Sequence, residues 1–553
     1  MRTLEMDTYT DLGFPKKGSG WIRALRGERT HAGWILGLLA GAAVLRIAVY
    51  VCCAAPFEDA LITMRYSCNI ARGLGFVYNP GEHVLGTTTP LWTLINAFYV
   101  WLFGSSRVFA FGFWLDLGLD LLMITAVFTA LLGGGNRVSV STGAVVPLAC
   151  FSPFVFITSS GLETSLFMAL FALSLLALQR GRTHTFGALA GLLALTRPEG
   201  FLWGGLGLLT LIYRHRRIPW KAAATMAAVV APWLAFAHWY FGGVVPQSAL
   251  AKAPWTFQSL GHVLFTGARG LPGTLLTLVY LNPFPALPGP HFAGIAAAAQ
   301  ILLVALFLAG ARVALSQSGP RELTLFFVTL VCFYAFAAPG VRSYWYGVPA
   351  SLLFYPLVML GLFRLSRVAF GRITLNGRPA ENPFWGRGCG VVACGLLGML
   401  VVQAHNLRLA NLWEQNTRKA LGIVFATRTP QGTKIMLEPI GYIGFYSHRY
   451  VYDLAGVVSP SIVDLRKRFP TDWYSRAIFS LSPDYLVLRK FEIETNICFV
   501  GGGKLFQSDE DRARFSREYS KVREFSGMAA HRSEAQLLVV FRKTGTTDKG
   551  SPI

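Results

Sequence analysis

Long apolar runs separated by short polar turns occupy most of residues 31–405, and each run is expected to form a helix. About twenty apolar residues in a helix cross a hydrocarbon core about 30 Å thick. The first run, 31–55, follows a segment carrying Arg2, Lys16, Lys17, Arg23, Arg26 and Arg29 and has no small-residue cleavage site. It is therefore expected to be a retained helix with a cytoplasmic N-terminus. The stretch PLWTLINAFYVWLFG at 90–104 is short enough for a helix lying flat in the membrane interface to compete with a full span. Laid flat, it puts the later spans at 107–132, 138–158, 162–179, 185–196, 201–213, 218–241, 292–314, 322–338, 347–366 and 388–404. The inward loops with the adjoining span ends then hold twenty Lys and Arg, and the outward loops before residue 405, the long one included, hold seven. That asymmetry obeys the positive-inside rule, whereas a spanning 90–104 inverts every later loop. About eleven spans plus one interfacial helix are expected, with a long outward loop at 242–290.

The pattern changes after residue 405. Residues 406–553 hold 22 Lys and Arg and no further apolar run of spanning length. An amphipathic helix is expected at 405–425, and short β-type runs at Lys434–Leu437, 485–488 and 537–541 alternate with polar segments such as 508–519. This reads as a small α/β domain outside the cytoplasm, since long translocated domains largely escape the charge rule. The domain plan is thus a cytoplasmic segment 1–32, a membrane domain 33–405 with an external loop at 56–90, and the C-terminal domain 406–553.

Composition agrees with the pattern. The 553 residues are 53% hydrophobic and 14% charged, with mean hydropathy +0.46, which excludes an ordinary soluble globular protein. In a soluble chain the net charge of +22 would point to nucleic acid. Here the cations sit in membrane loops and an external domain, so the expected partners are the lipid bilayer, its anionic headgroups or wall polymer, with no nucleic acid. Six of the eight Cys lie in apolar runs, there is no zinc spacing, and only Cys68 and Cys498 lie in polar segments, which leaves one disulfide pairing open.

The candidate chemistry collects in the outward loops. The loop PFEDALITMRYSCNIARGLGFVYNPGEHVLGTTTP at 56–90 holds Glu58, Asp59, Arg65, Asn69, Glu82 and His83, and later outward turns add Glu163, Arg197, Glu199, Arg342 and Tyr344-Trp345-Tyr346. A carboxylate beside a membrane surface is costly to desolvate, and so marks a functional candidate. Carboxylates can deprotonate an acceptor hydroxyl, guanidinium groups can hold phosphate oxygens, and aromatic faces can stack on sugar rings. Such a set suits transfer of a sugar from an anionic lipid carrier. The phosphate leaving group needs no protonation, so one base suffices.

Each feature also has a structural reading. Glu163 and Glu199 at helix starts serve equally as dipole partners, Arg197 as an interface anchor, and Tyr344-Trp345-Tyr346 as an aromatic belt. Asp116 and Asp120, four residues apart inside a span, either pair with Arg46 of the first span or line a polar groove. Gly501-Gly502-Gly503-Lys504 lacks the phosphate-loop spacing and is expected to be a plain turn.

The run EDALITMRYSCNIARGLGFVYNPGEHVLGTTTPLWT resembles the first external loop of polyprenyl-phosphate-dependent GT-C glycosyltransferases, in particular the mycobacterial-type β-arabinofuranosyltransferase branch. SGLET at 160–164, TRPEG at 196–200 and EPIGYIGFYSHRYVYDLAGVVSP at 438–460 extend the resemblance along the chain. It implies the GT-C fold in a bacterial cytoplasmic membrane, with the site and C-terminal domain outside. It also implies a polyprenyl-phosphate-sugar donor, inverting transfer and an envelope glycan or glycolipid acceptor. In the implied assignment the base comes from the acidic pair, with Arg65, Asn69, His83, Glu163, Arg197, Glu199, Arg342, Tyr344, Trp345 and Tyr346 toward the donor. Glu58 stands where the branch usually has a first Asp, so either Glu58 or Asp59 can be the base, and use of a divalent cation is open. The competing class is a transporter or flippase of lipid-linked sugars. Such proteins show internal repeats with broken helices at the midplane, and no such repeat is found here.

Overall fold

The computed structural model describes residues 29–53, 55–252, 260–279, 290–337, 344–370, 374–375, 378–379, 383–525 and 537–546. The apolar runs fold as helices: α1 (Arg29–Cys53), α2 (Glu58–Ala71), α3 (Pro90–Phe103), α4 (Val108–Gly133), α5 (Val138–Cys150), α6 (Ser152–Ile157), α7 (Thr164–Gln179), α8 (Thr183–Thr196), α9 (Glu199–His215) and α10 (Trp220–Phe241). They continue with α11 (Gln247–Lys252), α12 (Leu260–Leu278), α13 (Pro290–Ala314), α14 (Pro320–Cys332), α15 (Tyr344–Phe370) and α16 (Pro383–Glu414). Among the described residues, seven helices are long and apolar enough to cross a membrane, and four shorter apolar helices lie among them. The chain is a multi-pass membrane protein. Its helices pack closely where small residues allow: a Cβ at Gly310 of α13 or Gly361 of α15 would run into the facing helix's backbone.

The helix α3 begins with Pro90 and ends at Gly104, whose φ is +76°. Its fourteen residues reach about 21 Å, short of a bilayer core. One face, with Trp92, Asn96 and Val100, is buried, while Phe98, Trp101 and Phe103 are exposed. That two-faced pattern suits a helix lying in the interface.

Several expectations change. The segment 56–90 is not a loop throughout: Glu58 and Asp59 open α2, acids in the first turn of a helix. The single run 138–158 breaks at extended Phe151 between α5 and α6. The segment 242–290, expected as an outward loop, contains α11 and the nineteen-residue α12. The last span does not stop near 405; α16 continues through a π turn at Gln415–Lys419 into α17 (Ala420–Arg428). Cys68 and Cys498 are both free thiols, buried in separate apolar clusters, which closes the disulfide question.

The C-terminal domain contains strands β1 (Lys434–Leu437), β2 (Tyr450–Asp453), β3 (Tyr485–Arg489), β4 (Tyr519–Phe525) and β5 (Leu538–Lys543). Their order is β2-β1-β3-β5-β4, with β1 parallel to both neighbours and β5 antiparallel to both of its own. The helices α18 (Gly441–Ser447), α19 (Pro460–Arg468), α20 (Trp473–Leu481), α21 (Lys490–Thr495) and α22 (Asp509–Glu518) connect them. The polar segment 508–519 is largely α22, whose first turn is capped by Ser508 through its bond from Asp511 N at 3.1 Å.

Candidate functional site

The sequence places Glu58 and Asp59 side by side, and the fold separates their surroundings. Glu58 Oε1 accepts from the backbone N–H groups of Gly441, in a short contact, and Tyr442, at 3.2 Å. Its Oε2 lies 3.7 Å from Arg418 Nη1, and the side chain is 19% exposed. Burial is the largest influence on its carboxyl and pushes it up to about 8, against the pull of Arg418. A Cβ at Gly441 would collide with the Glu58 backbone, so only glycine allows α18 to approach α2 this closely. Asp59 is half-buried and close enough to Glu163 to act on it electrostatically.

Arg65 and Asn69 brace the structure from the same helix. Arg65, 4% exposed, donates from Nε to Tyr78 O at 2.9 Å, from Nη1 to Gly444 O at 2.7 Å and from Nη2 to Arg449 O at 2.7 Å. Three carbonyls thus take the guanidinium that the resemblance assigns to the donor. Asn69 Nδ2 donates to Val77 O at 2.8 Å and Tyr78 O at 3.1 Å, holding the turn after α2. His83 is exposed and stacks on Tyr240 of α10 at 4.0 Å.

The seam between α2 and the C-terminal domain includes residues that sequence reasoning passed over. Asn79 Nδ2 donates to Val451 O at 2.9 Å, and Val451 N donates to Asn79 Oδ1 at 3.0 Å. Tyr78 Oη donates to Ile440 O at 2.7 Å, and Tyr442 Oη to Pro56 O at 2.8 Å. Glu82 accepts from Tyr450 Oη at 2.5 Å. The two specific sequence motifs, NPGE in the first loop and EPIGYIGFYSHRYVYD in the C-terminal domain, are therefore the two faces of one seam.

Behind the start of α2 lies a second cluster. Ser160 O accepts from Phe57 N at 2.8 Å and Gly161 O accepts from Trp92 Nε1 at 3.0 Å, so the SGLE turn packs against the acidic helix. Arg197, 2% exposed, lies 2.7 Å from Glu163 Oε1 and 2.8 Å from Glu199 Oε1. Tyr334 Oη adds a short bond to Glu199, and the Tyr346 ring lies 4.9 Å from the Arg197 guanidinium carbon. Trp345 approaches Phe57 with ring centroids 6.3 Å apart. The fold thus gathers Asp59, Glu163, Arg197, Glu199, Trp345 and Tyr346, while Arg65 and Asn69 serve the seam. Arg342 and the Tyr344 side chain lie outside the described residues.

Deeper in the helices, Arg46 pairs with Asp120 at 2.9 Å, both fully buried. It also donates to Ala149 O and Leu148 O, each at 3.0 Å. The pairing alternative for Arg46 therefore holds for Asp120, whereas Asp116 finds no hydrogen-bond partner among the described residues. Among those residues, no group of three or more His, Cys, Asp or Glu side chains could hold a metal ion.

Comparison with solved structures decides the architecture. ArnT from Cupriavidus metallidurans, solved bound to undecaprenyl phosphate, aligns over 92% of this chain and 98% of its own with a TM-score of 0.51 at 14% identity. The fold is GT-C. The Archaeoglobus fulgidus oligosaccharyltransferase, solved with a tethered acceptor peptide, aligns over 83% of this chain and 69% of its own, with a TM-score of 0.50 at 12% identity. In sequence, the chain is similar to the terminal β-(1→2)-arabinofuranosyltransferase of Mycobacterium tuberculosis, 32% identical over 216 residues. That match covers 35% of this chain and 34% of the relative, so the chain spans about a third of that relative's length. A family model described as a domain of unknown function, DUF8728, matches residues 406–543. In this GT-C chain those residues contain the sheet and α18, the part that closes over α2.

Proposed function

We propose that this protein is a membrane glycosyltransferase. It moves a sugar, arabinofuranose or another pentose or hexose, from a polyprenyl-phosphate carrier to an envelope glycan or glycolipid on the extracytoplasmic face. The GT-C fold and the arabinofuranosyltransferase similarity support this reading over a transporter. One observation carries the division of labour in the site: Glu58 is engaged by the backbone of Gly441 and Tyr442 and by Arg418, so it acts as a strut. The base then falls to Asp59, at the start of the same helix and beside the Glu163 turn.

In the reaction, the acceptor hydroxyl oxygen attacks the anomeric carbon as its proton passes to the Asp59 carboxylate. The bond from that carbon to the phosphate oxygen breaks, and the electron pair leaves with the polyprenyl phosphate. Attack opposite the leaving group inverts the anomeric centre. Arg197 sits between two carboxylates, so its positive charge is already balanced and it acts chiefly to hold Glu163 and Glu199. The Trp345 and Tyr346 rings lie beside this cluster and offer apolar faces to the sugar or the first isoprene unit. The test is to incubate purified protein with a panel of polyprenyl-phosphate sugars and measure which is consumed. If every donor survives in the presence of envelope-type acceptors, the reading fails.

A further inference from the structure

The parallel part of the C-terminal sheet has an end whose position is set by the seam. The chain leaves β1 through α18 to reach β2 on one side, then returns through α19 and α20 to β3 on the other side. The connections therefore diverge at the carboxyl ends of β1 and β3. In α/β sheets such a point is where ligands bind, because diverging loops leave the strand ends uncovered. Glu438 directly follows β1 and Arg489 closes β3, and the two form an ion pair across this point, with side chains 18% and 8% exposed. Arg489 also lies over the Phe499 ring, 3.7 Å from its centroid. Phe499 is 57% exposed, a large apolar ring left facing outward.

The neighbouring acids are already engaged. Asp453 accepts from the N–H groups of Ala455 at 2.9 Å, Val457 at 2.5 Å and Val458 at 3.1 Å. Glu492 accepts from Arg489 N at 2.9 Å and Phe499 N at 2.8 Å. What remains for a ligand is one carboxylate, one guanidinium and one exposed aromatic ring. The pair has no net charge, so it does not select an anion. A carboxylate and a guanidinium side by side offer acceptors and donors to neighbouring hydroxyls, and the open side of an aromatic ring covers the C–H face of a sugar.

Location gives this group a role. Gly441 stands three positions after Glu438, at most about 11 Å of extended chain, and Gly441 N–H is bonded to Glu58, the neighbour of Asp59. We infer that Glu438, Arg489 and Phe499 form a subsite for the distal residues of a neutral, polyhydroxylated acceptor glycan whose terminal hydroxyl reaches Asp59. This deepens the glycosyltransferase reading and rests on it.

The experiment measures binding and transfer separately on the full-length protein in nanodiscs, with neutral arabinofuranosyl oligosaccharides of increasing length as the probe. Phe499→Ala removes an exposed ring and Glu438→Gln keeps an acceptor oxygen toward Arg489, and the melting temperature of each variant is measured beside binding so that loss of fold is read separately. Each is expected to weaken binding of the longer oligosaccharides about tenfold, in proportion to one lost ring or charged contact. Binding of the shortest, and the length dependence of KM below the subsite, should stay as in wild type. Wild-type affinity for the long oligosaccharides in both variants overturns the subsite, as does tighter binding of an acidic oligosaccharide than a neutral one. Direct binding keeps this test separate from the parent reading. If wild-type protein binds the oligosaccharide but consumes no lipid-linked donor, transferase activity fails while the subsite stands.

Discussion

Replacing Glu58 and Asp59 one at a time distinguishes strut from base. Glu58 accepts two backbone N–H bonds from the start of α18, and a hydrogen bond to a neutral carboxyl contributes roughly 0.5–1.5 kcal/mol. Because the side chain retains 19% exposure and the Tyr442 bond is 3.2 Å long, Glu58→Ala should cost about 1–3 kcal/mol at the seam. Glu58→Gln keeps an acceptor oxygen in place and should retain most of the transfer rate. Asp59→Asn should fold normally and lose about 10²–10⁴ in rate, the usual effect of removing a positioned base. Burial holds the Glu58 carboxyl at about 8 in the folded state, above its ordinary value of 4.5. Folding then takes up a proton between those values, so this contribution is full below about 4.5 and is lost as pH rises through about 8. Glu58→Gln should flatten that pH dependence. The assay is thermal unfolding in detergent across pH, read beside donor consumption. If Glu58→Gln loses as much transfer as Asp59→Asn, while Glu58→Ala melts like wild type, Glu58 is the base and the strut argument is wrong.

Arg197→Ala leaves two buried carboxylates without their cation and should cost about 3–5 kcal/mol; an unchanged melting temperature with a raised donor KM would instead make Arg197 a phosphate ligand. Arg65→Met removes the donors to Tyr78, Gly444 and Arg449, each orphaned acceptor costing about 1–3 kcal/mol. The C-terminal domain should then become more sensitive to limited proteolysis, and unchanged cleavage would show that the seam does not depend on it. A reporter active only outside the cytoplasm, fused after Ile553, should be active; activity of a cytoplasm-only reporter there would invert the topology and make α3 a full span.

Apolar runs were enough to mark most of the long helices, because a chain in lipid must satisfy its backbone within each helix. The run 90–104 folds as a single fourteen-residue helix with one buried and one exposed face, the pattern of a helix lying in the interface. Where the sequence misled, the cause was contact at a distance. The stretch after Pro56 looks like a polar loop because its helix buries polar groups against residues more than 350 positions away, as when Arg65 reaches Gly444 and Arg449. The β2 and β4 strands were missed because Tyr450–Asp453 and Tyr519–Phe525 become strands only by pairing with β1 and β5.

The candidate site divides in the same way. The residue types alone nominated the acids, arginines and aromatics as candidates, since a charge beside lipid is costly to keep without use. Their roles depended on tertiary structure. Neighbouring Glu58 and Asp59 are nearly equivalent as chemistry, and only the fold tells them apart, by bringing the N–H groups of Gly441 and Tyr442 to Glu58. Arg197 is an available cation in sequence and a neutralised one between Glu163 and Glu199 in the fold. A carboxylate or guanidinium is defined by the partners that compensate its buried charge, and those partners come from other helices and from the C-terminal domain.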